Sequence, residues 1–124
     1  MTTHLRDSKD FERVYKAGQR YEGYFITAFV LPNTVDHHRL GLTASRKALG
    51  NAVRRNRAKR LLRETFRLTR PRLDGLQRKY DWVLNGRRTL LSPHTGKVPE
   101  EFERIIARVA REETLDRVDE AQLA

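Results

Sequence analysis

Gly50-Asn51-Ala52-Val53-Arg54-Arg55-Asn56-Arg57-Ala58-Lys59-Arg60-Leu61-Leu62-Arg63-Glu64-Thr65-Phe66-Arg67-Leu68-Thr69 is the stretch on which the fold turns. Gly50-Asn51 punctuates the chain before it, and Pro71 prevents a helix from continuing past it, so a helix is expected from about Asn51 to about Thr69. Stepped at about 100° per residue from Arg54, the side chains of Ala58, Leu61, Leu62, Thr65, Phe66, Leu68 and Thr69 share one arc, the core face. Lys59, Arg60, Arg63, Arg67 and Arg70 share the opposite arc. Arg54, Arg55 and Arg57 crowd the first turns, off that stripe. There the positive end of the helix dipole disfavours a cation by roughly 0.3–1 kcal/mol when exposed. Local stability would place Asp or Glu at those positions, so folding does not account for three arginines. A merely solvated face would alternate signs and pair Glu with Lys or Arg, but only Glu64 offers a partner. The excess of Arg over Lys suits planar, bidentate contact with phosphates and base edges. The other face of the helix is needed for the core and is not free to enter lipid.

The charge of the whole chain says the same. The 124 residues carry a net charge of +10. Between Arg46 and Arg72 lie 11 basic side chains and the single acid Glu64, so this segment alone accounts for the net charge and the remainder balances to zero. A localised excess of this kind marks a polyanion site. The length suits one domain, residues 1–124, with one modest core. With no cysteine, a disulfide framework and a thiolate metal site are excluded. Met1 to Asp10 lacks the apolar core of a secretion signal, and Tyr24 to Leu31 is too short to span a bilayer. A soluble, cytoplasmic protein without membrane contact is expected.

Working outward from the helix, Arg39-Leu40-Gly41-Leu42-Thr43-Ala44 precedes it as a strand running from about His38 to Ala44. Gly41 hints at close backbone approach or a bulge. Tyr21 to Leu31 is aromatic and β-branched and reads as an earlier strand ended by Pro32-Asn33. Before it, Asp7 or Ser8 caps a short helix in which Phe11, Val14 and Tyr15 share a face and Gly18 suits the stop. Those two rings fit either core packing or a surface that stacks bases. Downstream, Tyr80 to Leu84 reads as a strand and Thr89 to Val98 as a loop. Pro99 starts a last helix whose apolar stripe is Phe102, Ile105, Ile106, Val109 and Ala110. Glu100, Glu101, Glu103, Glu112 and Glu113 read as a dipole-matched N-terminus and a solvated face. The tail after about Glu112 is of mixed charge, frayed or disordered. The order is helix, strands, helix, strand, helix: an α+β sandwich.

Arg39-Leu40-Gly41-Leu42-Thr43-Ala44-Ser45-Arg46-Lys47, followed by Gly50 through Glu64, closely resembles the bacterial ribonuclease P protein component. The family's Arg-Asn-Arg signature falls on Arg55, Asn56 and Arg57. Asp10-Phe11, Val14-Tyr15 and Gly18 match its first helix, and Tyr80-Asp81, Val83 and Arg87-Arg88 its last strand. The resemblance implies a two-layer αβββαβα sandwich with a left-handed βαβ crossover around the Arg-rich helix. It implies the protein subunit of an endoribonuclease that removes the 5′ leader of precursor tRNA. Catalysis would reside in a large RNA subunit with Mg2+, none in the protein alone, and no metal would be bound by the protein itself. Contacts to that RNA, one protein to one RNA, would come from Arg54, Arg55, Asn56, Arg57, Lys59, Arg60 and Arg63. The precursor leader would lie in a cleft made by Phe11, Tyr15, Phe29, Arg46, Lys47, Arg87 and Arg88. Asn85-Gly86 departs from the apolar-then-small pattern expected in the last strand and leaves the register of Arg87 and Arg88 open.

Other constellations are weaker. Asp36-His37-His38 matches three residues of the Asp-His-His phosphoesterases, without the further aspartates those enzymes need. His4 and His94 lack metal-ligand spacing. A DNA-binding module would also use an Arg-rich helix, but a compact helical partner before it is missing. A ribosomal protein would share the charge but not the Arg-Asn-Arg signature.

Overall fold

Helix α1 (Ser8–Ala17) starts at Asp7, whose side chain accepts from the Lys9 N–H at 3.0 Å. The computed structural model describes residues 4–92 and 95–123; Pro93 and His94 of the predicted loop lie outside the described residues. Strands β1 (Gln19–Glu22), β2 (Ile26–Pro32), β3 (Arg39–Thr43) and β4 (Tyr80–Gly86) form one sheet in the order β1-β2-β4-β3. The first two pairings are antiparallel, whereas β3 and β4 are parallel. The parallel pair is joined through α2 (Arg46–Leu49), α3 (Ala52–Leu68) and α4 (Arg70–Asp74), and α5 (Val98–Leu123) closes the fold. This is the expected α+β architecture, a mixed sheet with helices.

Alternation along each strand sorts the side chains between two faces. Ile26, Ala28, Val30, Leu40, Trp82 and Leu84 meet α3 and α5 in the main core, with Leu62, Phe66, Phe102, Ile105 and Val109. Phe29, Leu31 and Val83 point the other way and meet Leu5, Phe11 and Val14. The two-layer description thus covers the sheet with α3 and α5, and α1 adds partial cover to the opposite face.

Three local expectations need correction. The predicted strand Tyr21–Leu31 is a hairpin broken at Gly23-Tyr24-Phe25. The N–H groups of Tyr24, Phe25 and Ile26 donate to the carboxylate of Glu101. That buried acid replaces ladder partners and turns the chain. Secondly, Glu101 and Glu113 do not lie on a solvated face; both are buried. Glu113 accepts from the N–H groups of Gln77 and Arg78 at 3.1 and 3.0 Å and from the Tyr80 hydroxyl at 2.6 Å. Each carboxylate satisfies backbone donors that burial would otherwise leave unpaired. Thirdly, β4 runs two residues past Leu84, because Asn85 pairs with Thr27 of β2 and Thr43 of β3 and Gly86 pairs with Ile26 of β2.

His38, third of the Asp-His-His triplet, is a core residue. Its Nε2 faces the Leu73 carbonyl at 3.0 Å, and its Nδ1 accepts from the Tyr80 N–H and the Trp82 indole N–H, both at 3.1 Å. Two donors on Nδ1 leave the proton on Nε2, so the ring is neutral here. Burial lowers its pKa, and this outweighs the opposing effect of the Leu73 carbonyl.

Candidate nucleic-acid interface

Helix α3 begins at Asn51, whose side chain accepts from the Arg54 N–H at 3.0 Å. Ala58, Leu62, Thr65 and Phe66 are buried along one face, as the periodicity predicts, and Leu61 is half-buried. Leu68 departs from the prediction: it is 51% exposed. The helix ends there, and the Thr69 hydroxyl donates back to the Thr65 carbonyl at 2.9 Å, closing the last turn before the core extends under Leu68. Arg54, Asn56, Arg57, Arg60 and Arg63 are exposed, and Arg55 and Lys59 are half-buried. Glu64 pairs with Arg67. Among the described residues, Arg54, Arg55, Arg57, Lys59, Arg60 and Arg63 make no ion pair within the protein. The Arg55 Nε is buried and has no hydrogen-bond partner. Arg67 apart, the cationic side chains of α3 are therefore uncompensated among the described residues.

The opposite face of the sheet carries a second array. Gly41 lies directly under Phe11: a Cβ there would sit 2.8 Å from the ring, so the glycine lets the ring lie on the sheet. Tyr15 is one helical turn on, 6.5 Å from Phe11 between centroids, and meets Phe29 edge-on at 4.8 Å. Tyr15 is 38% exposed, and Phe11 and Phe29 are half-buried. The rings thus combine packing with a solvent-facing edge. The Tyr15 hydroxyl donates to Asn85 Oδ1 at 2.9 Å and lies 3.1 Å from Thr43 Oγ1. Asn85, the departure from the apolar pattern, is the acceptor that orients this ring.

Helix α1 is held there by Asp81. Its side chain is fully buried and accepts from Arg13 at 2.6 Å, from Arg39 Nε and Nη2 at 2.7 and 2.8 Å, and from Asn33 at 2.9 Å. Burial pushes the Asp81 pKa up, but the bonds from Arg39, Arg13 and Asn33 outweigh it and hold the carboxyl below its usual range. One anion thereby ties α1 to β3, to β4 and to the turn that follows β2.

Thr43 and Asn85 also line a groove of about 760 Å³ with Arg20, Lys47, Arg87 and Arg88. Aromatic cluster and basic groove are therefore contiguous. Of the predicted cleft residues, Phe11, Tyr15, Phe29, Lys47, Arg87 and Arg88 come together. Arg46 does not line the groove; it is exposed on the first turn of α2. Arg20 was missed by the sequence reading. It faces Phe29 directly across β1 and β2, its guanidinium 5.8 Å from the ring centre. A strand begun at Gln19 rather than Tyr21 would have included it.

A family profile for ribonuclease P matches residues 1–110. The chain belongs to the ribonuclease P protein family. It is 32% identical to the ribonuclease P protein component of Caldanaerobacter subterraneus over 93% of this chain and 96% of that one. With the component of Natranaerobius thermophilus it shares 41% identity over 67% of this chain and 69% of the other. The solved ribonuclease P protein of Staphylococcus aureus superposes with a TM-score of 0.74 at 28% identity, covering 89% of this chain and 96% of that one. That of Thermotoga maritima gives 0.72 at 28% identity, covering 85% and 96%. Membership in the ribonuclease P protein family gives the coarse role: a protein component of an endoribonuclease holoenzyme with an RNA partner, acting in tRNA 5′ processing. Among the described residues, no group of three or more His, Asp or Glu side chains could hold a metal ion. No helix of the described residues is long and apolar enough to cross a membrane.

Proposed function

We propose that the two arrays divide the work of this cytoplasmic, single-domain protein over residues 1–124. Arg54, Arg55, Asn56, Arg57, Lys59, Arg60 and Arg63 on α3 bind the large catalytic RNA, one protein to one RNA. Phe11, Tyr15, Phe29, Lys47, Arg87 and Arg88, with Arg20 added and Arg46 at the margin, bind the 5′ leader of precursor tRNA. The observation that carries this reading is the continuity through Thr43 and Asn85, which bond Tyr15 and also line the basic groove. A single strand offers alternating base faces and phosphates, and rings beside guanidinium groups match that alternation.

The protein's contribution is binding and orientation. Stacking and phosphate contacts raise affinity for precursor over mature tRNA, and α3 places this groove relative to the RNA. The chemistry, with the Mg2+ the holoenzyme requires, belongs to the RNA subunit. The test is precursor and mature tRNA binding by holoenzyme reconstituted with Phe11→Ala or Tyr15→Ala. Each is expected to weaken precursor binding by about 1–3 kcal/mol while mature tRNA binds as before. A loss of about 3–5 kcal/mol in folding stability with unchanged precursor preference would make the rings core residues and remove the leader from this groove. RNA-free protein incubated with precursor and Mg2+ is expected to leave the leader intact.

A further inference from the structure

Tyr24 is the most exposed aromatic ring among the described residues, at 62%, and it projects from the turn between β1 and β2. An exposed ring on a loose turn would be unremarked surface. This turn is tightly held. The Tyr24 N–H donates to Glu101, and its carbonyl accepts from the Thr89 hydroxyl. On one side, the Gly23 carbonyl accepts from Arg87 Nη1 at 2.6 Å; on the other, the Phe25 carbonyl accepts from the Arg87 N–H at 2.9 Å. Gly23 leaves room for the carboxylate here: a Cβ there would sit 2.4 Å from the Glu101 carboxyl carbon. The ring itself leans edge-on against the buried Phe25, centroids 4.9 Å apart at 84°, which leaves its faces unstacked by any other ring of the described residues.

The contacts place Tyr24 in an order. Tyr15 bonds Thr43 and Asn85, which line the basic groove; Arg87 lines the same groove and binds the backbone on both sides of Tyr24. The path runs from the aromatic cluster, through the cationic groove, to a second aromatic. We propose that Tyr24 is a second base-stacking platform for the precursor leader, taking a nucleotide that lies beyond the groove from the one at Tyr15. The inference rests on the leader-binding reading above. The chemistry is stacking on a rigid ring, so it serves any base and sets how much leader the protein grips. Glu101, Arg87 and Thr89 fix the backbone of the turn and Phe25 meets the ring edge-on, so little backbone freedom is lost when a base stacks here.

The test uses reconstituted holoenzyme and a series of precursors whose leader is shortened one nucleotide at a time. Tyr24→Ala is expected to weaken long-leader binding roughly 5- to 100-fold. Tyr24→Phe, which keeps the ring, should bind as the parent does, and the Ala variant should melt with the parent because the side chain is exposed. The Tyr24→Ala and Tyr15→Ala losses should set in at different leader lengths. Equal onset, a loss shared by Tyr24→Phe, or a loss in RNA-subunit affinity instead would overturn the proposal. Tyr15→Ala with a leader-dependent loss and Tyr24→Ala without one would refute only the second platform. If Tyr15→Ala shows no leader dependence either, the leader-groove reading fails with it.

Discussion

Arginines occupy two regions of this molecule in opposite states. At Asp81, Arg13 and Arg39 converge on one buried carboxylate, and their charge is consumed by the fold. On α3, Arg54, Arg57, Arg60 and Arg63 stand exposed with no acid against them among the described residues. Composition cannot separate these populations. What separates them is the partner: a guanidinium bonded to a buried anion positions an element, whereas one without an internal partner is available to an external polyanion. The dipole sharpens the contrast, since the arginines in the first turns of α3 sit where folding alone would disfavour them.

The largest effect expected from this contrast is on RNA binding. If roughly six to eight phosphates are neutralised, affinity for the RNA subunit should fall on the order of 10³–10⁵-fold between about 50 and 200 mM salt. Arg55→Ala with Arg57→Ala should flatten the salt slope by about one unit per lost contact. Stability should stay within about 0.5 kcal/mol. A titration that gives a flat salt response, or the same slope in the double variant, would break the comparison at the α3 end.

Asp81→Ala probes the other end. It leaves two guanidinium groups and the Asn33 amide without their common acceptor, and should cost about 3 kcal/mol in urea unfolding. The arginines there are partly exposed, at 40% and 24% of their side chains, so water softens the loss. Below its unfolding midpoint the variant should bind RNA subunit with the parent's salt slope. A variant as stable as the parent would show that the Asp81 cluster does not hold α1.

A smaller effect is expected from pH. The folded-state pKa of His38 is depressed, so the unfolded chain binds the proton more readily. Its contribution is complete above the unfolded value of about 6.5 and is lost as pH falls below it, by up to about 1.4 kcal/mol per pH unit. Asp81, also depressed, should keep its contribution until pH falls below about 3.9, the unfolded value. Urea unfolding from pH 7.5 to 4.5 should therefore show a loss that His38→Gln removes. A loss unchanged by that substitution would place the acid-sensitive group elsewhere.

The smallest effect is expected from Tyr15→Phe. It keeps the ring against Phe29 and removes the bonds to Thr43 and Asn85, for about 0.5–1.5 kcal/mol. If precursor affinity falls by that amount without a change in RNA-subunit affinity, ring orientation contributes to the groove beyond ring area. An unchanged precursor affinity would leave stacking area as the whole effect.

Much of the α3 site was legible because helical periodicity is local: residues three and four apart share a face whatever the rest of the chain does. Ala58, Leu62, Thr65 and Phe66 went inward and Arg60 and Arg63 outward as their spacing required. Leu68 did not, because the face a residue shares matters only where something packs against it. The groove was legible in its residue types and less so in its membership. Arg20 joined through a cross-strand pairing with Phe29, and Arg46 stayed out because Ser45, Lys47 and Ala48 supply the wall instead.

The sequence by itself determined where the charge lies, which helix faces are apolar, and that an arginine-rich helix follows a strand. Tertiary structure alone decided that β4 lies between β2 and β3, and which acids enter the core. Asp81 meets Arg13 from 68 positions away, and Glu101 meets the Tyr24 N–H from 77. A carboxylate on the surface and one that closes a turn are the same residue type with the same local neighbours. Only the distant donor that replaces water around it distinguishes them, and that donor exists only once the chain has folded.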